Sequence, residues 1–444
     1  MERRQLFFRD TIYALSSGRL PAGIAVLRLS GPHVPQVLQA CTGALPQERV
    51  AAVRPIRTAG GDLIDRALVL FFAGPRSFTG EDMAEFHLHG GPAVVRAMLD
   101  LLRSREGLRQ AEAGEFTRRA FLLGKVDLTG AEALGDLVAA ETEAQRRFAL
   151  SNAGGQQADL YLSWRERIIR ARAMIEADLD FSDEGDVPGS VAEAIWSEVD
   201  ALAGEVDAHI ANFHRAEIIR DGLSVVIVGA PNAGKSSLLN ALAKRDVAIV
   251  TDEPGTTRDL VEVALDLDGN KVILTDTAGI RDGAAPVEAI GIERALEKGR
   301  QADLVLLVAD MTAEGRLTAL FPGQKTFRVG TKSDLRRHTT PDLFDVEISS
   351  RTGEGIPFLL EMLSRWAAKE AGPAGDILPS RARHVEHLLR CRDCLKAAAH
   401  DAPRELELRA EDLREAGDSL GRIVGKIGAE DILDVVFSSF CIGK

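Results

Sequence analysis

The stretch "LSVVIVGAPNAGKSSLLNAL", residues 223–242, constrains this chain more than any other. Gly229 and Gly234 bracket a loop that leaves an apolar strand, and Lys235 and Ser236 open a helix. In such a loop backbone N–H groups face phosphate oxygens and the helix N-terminus adds its positive end. Lys235 is expected to reach the terminal phosphates and Ser236 to hold Mg²⁺, with Asn232, Ala233, Gly234 and Ser237 completing the cradle. A strand–loop–helix of this kind belongs to a βα sandwich over a mostly parallel sheet. The apolar runs "KVILTDTAG", "ADLVLLVAD" and "KTFRVGTKSD" supply its further strands.

Three more motifs follow in the order a GTPase needs. "PGTTRD" offers Thr256 and Thr257 to Mg²⁺ and the γ-phosphate. "DTAG" offers Asp276 as a magnesium-side carboxylate, followed by Thr277, Ala278 and the Gly279 amide. In "TKSD", residues 331–334, Asp334 accepts two hydrogen bonds from guanine, which adenine cannot match. Thr331 stands where Asn is usual, a hydroxyl in place of an amide, and Lys332 follows it. In "SSRTGEG", Ser349, Ser350 and Arg351 begin the loop that covers the base. The chain is therefore expected to bind GTP. Ras-like enzymes place Gln directly after this "DTAG" to orient water, whereas here Ile280 follows. Another group must orient water and another positive charge must stand in for an arginine finger. Arg281, Asp282 and Glu288 are candidates, or solvated charges of their segment.

A chain of 444 residues exceeds one ordinary core, and roughly two to four domains are expected. Strand-like runs with one helical stretch make residues 1–115 an α+β domain. Residues 116–215 read as helical, 216–370 as the P-loop domain and 376–444 as helical again, with "AAKEAGPAGDILPSRAR" as a linker. The two helical segments could pack as one domain interrupted by the nucleotide domain. The net charge of −13 and the 5% aromatic content argue against a non-specific nucleic-acid coat. Four cysteines form no disulfide framework, which fits a reducing cytoplasm, and no apolar stretch has membrane-spanning length.

Several local signals have two readings. Cys441, in the terminal "FSSFCIGK", is either a small apolar residue at a helix end or a reactive thiol. Lipidation of C-I-G-K is set aside, since Lys is not a usual final residue of that motif. His384, His387, Cys391 and Cys394 spread over about 15 Å of one helix, too far for one zinc ion. His87 and His89 share a strand face without a third ligand candidate. Arg165, Arg167, Arg170 and Arg172 are a nucleic-acid-facing helix side or a solvated face.

"GAPNAGKSSLLNAL", "TDEPGTTRD", "FTGEDMAEFHLHGGP", "GEFTRRAFLLGKVDLTGAEALGDLV" and "FCIGK" together resemble the bacterial tRNA-modification GTPase family MnmE (TrmE). The resemblance covers essentially the whole chain. It implies a homodimer with an N-terminal folate-binding domain, a helical domain made of two chain segments and an inserted Ras-like GTPase domain. It implies a flavin-containing partner, MnmG (GidA), which supplies FAD and forms a heterotetramer or larger complex. Together the two modify carbon 5 of the wobble uridine of certain tRNAs with an aminomethyl-type group, using a tetrahydrofolate one-carbon unit. It further implies K⁺ bound by Asn232 with Thr251, Glu253 and Thr256, and Mg²⁺ bound by Ser236 and Thr257. Glu288 would orient water, Arg28, Glu85, Lys125 and Lys444 would contact folate, and Cys441 would act as acid, base or nucleophile.

Overall fold

The computed structural model describes residues 8–180, 189–249, 262–276, 300–313, 323–335, 343–373, 375–400, 405–428, 433, 436–438 and 440–443. The chain divides into two compact units. The first comprises residues 1–135, 158–167 and 417–444, and the second residues 136–157 and 168–416.

In the first unit, β1 (Thr11–Leu15), β2 (Ala22–Ser30), β3 (Ala52–Arg57), β4 (Leu63–Phe72), β5 (Met83–Gly90) and β6 (Leu108–Gln110) form one sheet in the order β3-β4-β5-β2-β1-β6. All neighbours are antiparallel except β1 and β6. Strand alternation sorts the faces: in β5 Phe86 and Leu88 are buried, while Glu85, His87 and His89 face the other way. Helices α1 (Val34–Thr42) and α2 (Pro92–Arg103) cover the apolar face. In α2, Val95, Met98, Leu101 and Leu102 recur at helical spacing and are buried.

α3 (Glu115–Leu122) is tied down by the fully buried Arg119, whose guanidinium pairs with Asp10, Glu81 and Glu115 at 2.9–3.2 Å. Three carboxylates around one buried cation satisfy a charge that would otherwise be costly to desolvate. α4 (Leu128–Ala139) packs Leu128 and Ala131 against Leu433 and Phe437 of the C-terminal segment.

In the second unit, α5 (Glu143–Ala153) follows, then α6 (Gln156–Asp180), whose residues 158–167 belong to the first unit, and α7 (Gly189–Ile210) and α8 (Phe213–Asp221). The break between α5 and α6 falls at "GGQQ", as the sequence suggested. Helix α8 runs to Asp221, past the boundary expected at 215, because Ala216 and Ile218 are buried and continue the helical pattern. The α/β core consists of β7 (Leu223–Gly229), β8 (Glu262–Leu267), β9 (Asn270–Asp276), β10 (Leu304–Asp310), β11 (Thr326–Thr331) and β12 (Val346–Glu347). Their order is β12-β11-β10-β7-β9-β8, parallel except for the β8–β9 hairpin. β7 and β10 are near-continuous apolar runs because both sheet faces are covered. Helices α9 (Lys235–Ala243) and α10 (Ile356–Ala371) supply Leu238, Leu239, Leu242, Leu359 and Leu363 to this core. Because α10 continues to Ala371, the first five residues of the expected linker are helical.

α11 (Ala382–Ala399) and α12 (Leu406–Ile423) follow, and residues 433 and 436–438 are helical as well. The start of α5 seats on the turn of the β8–β9 hairpin. The Ala144 amide donates to Gly269 O at 3.0 Å, and Lys271 Nζ pairs with Glu141 at 2.5 Å. Gln145 holds the approach to the helix by accepting from the amides of Glu141 and Thr142. No helix among the described residues is long and apolar enough to cross a membrane.

Candidate functional sites

The phosphate loop is shaped by close backbone approach. A Cβ on Gly229 would lie 2.1 Å from Val308 O, so no side chain fits between β7 and β10 there. Asn232 and Gly234 take positive φ of 63° and 92°, which turns successive amides toward one concavity. Lys235 is buried, and its Nζ donates to Gly229 O at 2.8 Å and Ala230 O at 2.9 Å, holding the ammonium at the mouth of the loop. Ser236 Oγ donates to Asp276 Oδ2 at 2.6 Å across the ends of α9 and β9. A hydroxyl beside a carboxylate is an oxygen donor set that suits Mg²⁺.

Thr331 does more than replace an amide by a hydroxyl. Its Oγ1 donates to Ala233 O at 2.6 Å and lies 3.1 Å from Ala309 O, so the residue clasps the phosphate loop to the end of β11. Lys332, at φ 60°, pairs with Asp310 Oδ2 at 2.5 Å. Burial opposes ionisation of Asp310, but hydrogen bonds from Lys332 and Thr312 outweigh it and lower its pKa. Asp334 accepts from the buried Ser349 hydroxyl at 2.7 Å on Oδ1 and pairs with Arg351 at 2.5 Å on Oδ2. The Ser349 hydroxyl foremost, with the Arg351 charge, holds the Asp334 carboxyl below the usual carboxylate range.

The structure thus gathers Asn232, Ala233, Gly234, Lys235, Ser236, Ser237 and Asp276 at one end of the sheet, and Thr331, Lys332, Asp334, Ser349, Ser350 and Arg351 beside them. Thr251, Glu253, Thr256, Thr257, Thr277, Ala278, Gly279 and Glu288 lie outside the described residues, as does Lys444.

A second cluster lies in the first unit. Register pairs Arg28 of β2 with Glu85 of β5, and Arg28 Nε and Nη2 reach Glu85 Oε1 at 3.1 and 2.9 Å. The rings of Phe78 and Phe116 lie 5.9 and 6.0 Å from the guanidinium. His87 Nε2 is 3.3 Å from Glu85 Oε2, whereas His89 pairs with Asp65, so the two histidines serve different carboxylates. Lys125 Nζ donates to Pro75 O at 2.9 Å, and its stem lies against Gly80, in the loop that carries Phe78. Sequence reasoning did not single out Phe78 or Phe116, and it read His87 with His89 as a packed or hydrogen-bonded pair, whereas each contacts its own carboxylate. The β-alternation that places His87 beside Glu85 was its available signal.

The C-terminal segment joins this cluster's domain. Ile442 bridges to Ala113, Ser16 Oγ donates to Gly443 O at 2.9 Å, and the Gly114 amide lies 3.4 Å from Cys441 O. Cys441 is exposed rather than packed at a helix end. Cys391, by contrast, is buried and its thiol is pushed up by burial, and Cys394 is pushed up to about 11 by burial and by acidic neighbours. On α6, Arg165 donates to Gly417 O and Arg172 pairs with Glu176.

Residues 11–125 match the family described as the GTP-binding protein TrmE N-terminus, and residues 128–441 match the MnmE helical domain family. A tRNA modification GTPase MnmE of Mesorhizobium japonicum is 60% identical over 440 residues, covering 98% of this chain and 99% of that one. The chain belongs to the MnmE family of tRNA modification GTPases. A second MnmE, from a Chelativorans species, is 55% identical and covers 99% of both chains. Among solved structures, the G domain of the T. maritima FeoB iron transporter is 28% identical, covering 33% of this chain and 99% of that one at a TM-score of 0.26. MnmE membership accords with the three kinds of architecture present: an α+β N-terminal sheet, a helical part and a P-loop α/β part.

Proposed function

We propose that this GTPase of tRNA modification uses its second unit to hydrolyse GTP and its first unit to prepare a one-carbon unit for carbon 5 of a wobble uridine. The observation that carries this reading is the docking of the C-terminal segment. The start of α3 is held on one side by Cys441 O at Gly114, and on the other its Phe116 ring lies beside the Arg28 guanidinium. A switch-type GTPase needs neither that exposed thiol nor the Arg28–Glu85 pair.

In the second unit Lys235 draws the terminal phosphates, Ser236 and Thr257 hold Mg²⁺ with Asp276 behind them, and Asp334 reads guanine. Asn232, with Thr251, Glu253 and Thr256, binds a K⁺ that supplies the charge of an arginine finger. Glu288 orients the attacking water. The exposed Asn232 side chain and its left-handed backbone fit a cation at the outer edge of the loop.

In the first unit Glu85 accepts from the amino and ring N–H groups of a pterin, Phe78 and Phe116 face its plane, and Arg28, Lys125 and Lys444 take the folate's anionic parts. A tetrahydrofolate held there would supply the one-carbon unit, and Cys441 would serve as acid, base or nucleophile. The protein works in the cytoplasm as a homodimer with the FAD-carrying partner MnmG (GidA), which contributes most of the tRNA contact.

Wobble nucleosides from cells relying on Cys441→Ser, read by mass spectrometry beside the GTPase rate, test the reading. Loss of modification with intact hydrolysis supports it, and normal modification sinks the role of the thiol. GTPase rates in K⁺ and Na⁺ test the cation assignment, which fails if the two rates are equal.

A further inference from the structure

The carboxylate assigned to guanine is already engaged on both oxygens. Asp334 Oδ1 accepts the Ser349 hydroxyl at 2.7 Å, and Oδ2 pairs with Arg351 Nη2 at 2.5 Å. These partners differ in kind. Ser349 is fully buried and fixed by its turn, its amide donating to Glu354 O at 3.0 Å and its carbonyl accepting from the Gly353 amide at 2.9 Å. The Arg351 side chain is 74% exposed, so it can swing into water at little cost.

The chemistry of the displaced contact is specific. Guanine offers its N1–H and its exocyclic amino group from neighbouring atoms around one carbon, and that edge is itself a guanidine fragment. The Arg351 side chain presents the same planar donors to the same carboxylate. Resting on the reading of Asp334 as the guanine acceptor, we propose that Arg351 is a specificity-determining residue that occupies Asp334 as an internal stand-in for guanine, and that the nucleotide must displace it.

Guanine binding is then taxed by the fraction of sites in which Arg351 sits on Asp334. The tax depends on the base. Hypoxanthine lacks the exocyclic amino group and needs one acceptor position, so it binds with Arg351 left on Oδ2. The latch therefore lowers affinity for guanine nucleotides more than for inosine nucleotides, and it narrows the discrimination between them. Exposed ion pairs carry energies that correspond to about a two- to fivefold change in binding.

The test uses the full chain and N-methylanthraniloyl-GDP in stopped-flow binding, with unlabelled GDP and IDP as competitors. Arg351→Ala is expected to bind GDP about two- to fivefold more tightly, mainly through faster association, with IDP affinity unchanged. Arg351→Lys, which keeps the charge without the planar fork, falls between wild type and Arg351→Ala. GDP binding by Arg351→Ala that is unchanged or weaker overturns the proposal, and so does equal tightening of GDP and IDP. Asp334→Asn separates the two layers of the argument. If it loses GDP and gains XDP, whose base matches an Asn, Asp334 is the reader and the Arg351 data decide the latch. If it keeps wild-type GDP affinity, the base reading fails and the latch fails with it.

Discussion

At the scale of single residues, Thr331 illustrates how a departure from a motif can keep its mechanical role. The Thr331 hydroxyl ties β11 to the phosphate loop through Ala233 O, and a Cβ on Gly234 would sit 3.3 Å from Thr331 Oγ1. Thr331→Val removes the donor, keeps the volume and leaves a buried carbonyl short of its partner. The expected cost is about 1 kcal/mol, or about fivefold weaker GDP binding in a fluorescence titration, with Thr331→Asn closer to wild type. The loop itself was legible from Gly229, Gly234, Lys235 and Ser236, because glycine spacing and a strand–helix context have few alternative causes. Thr331's partner was not legible, since it is a backbone carbonyl 98 residues away, and backbone atoms leave no trace in side-chain patterns. Arg351 is a different case, since its partner is the nearby side-chain carboxylate of Asp334, whereas sequence alone assigned it to the base.

At the scale of elements, the C-terminal segment is held by a few contacts over a very long loop. Ser16 and Gly443 are 427 residues apart in sequence, so nothing local signals that they meet. Gly443 has φ 99°, and a Cβ there would come within 2.5 Å of Leu15 O. Gly443→Ala is therefore expected to release Cys441 from its place, abolishing wobble modification in nucleoside mass spectrometry while GTP hydrolysis continues. Normal modification in that variant would show that the bridge to Ala113 is dispensable. Helices and strands were legible wherever apolar spacing was regular, as in α2 and β5. The change from helix to strand, read at about 216, comes after Asp221, because Ala216 and Ile218 suit a helix and a strand equally until their neighbours are known.

At the scale of the whole molecule, stability carries a pH term from a buried imidazole. Burial foremost, with the neighbouring His384, lowers the pKa of His209 on α7 from 6.5 to about 4. Between those values the unfolded chain binds a proton that the folded chain refuses, so stability is complete above pH 6.5 and is lost as pH falls toward 4. The loss amounts to about 2 kcal/mol between pH 7 and pH 5. Thermal melts should show a smaller acid shift for His209→Gln than for wild type, and equal shifts would remove His209 from the account. A different consequence follows from the β8–β9 hairpin. β9 ends at Asp276, hydrogen-bonded to Ser236, while the hairpin turn at Gly269 holds the first turn of α5. A hydrogen-bonded ribbon is stiffer along its length than a loop of equal span, so a displacement imposed on Asp276 would reach the start of α5 through the paired strands. The seven residues of β9 thus form a connecting rod between the phosphate-loop end of the sheet and the first turn of α5.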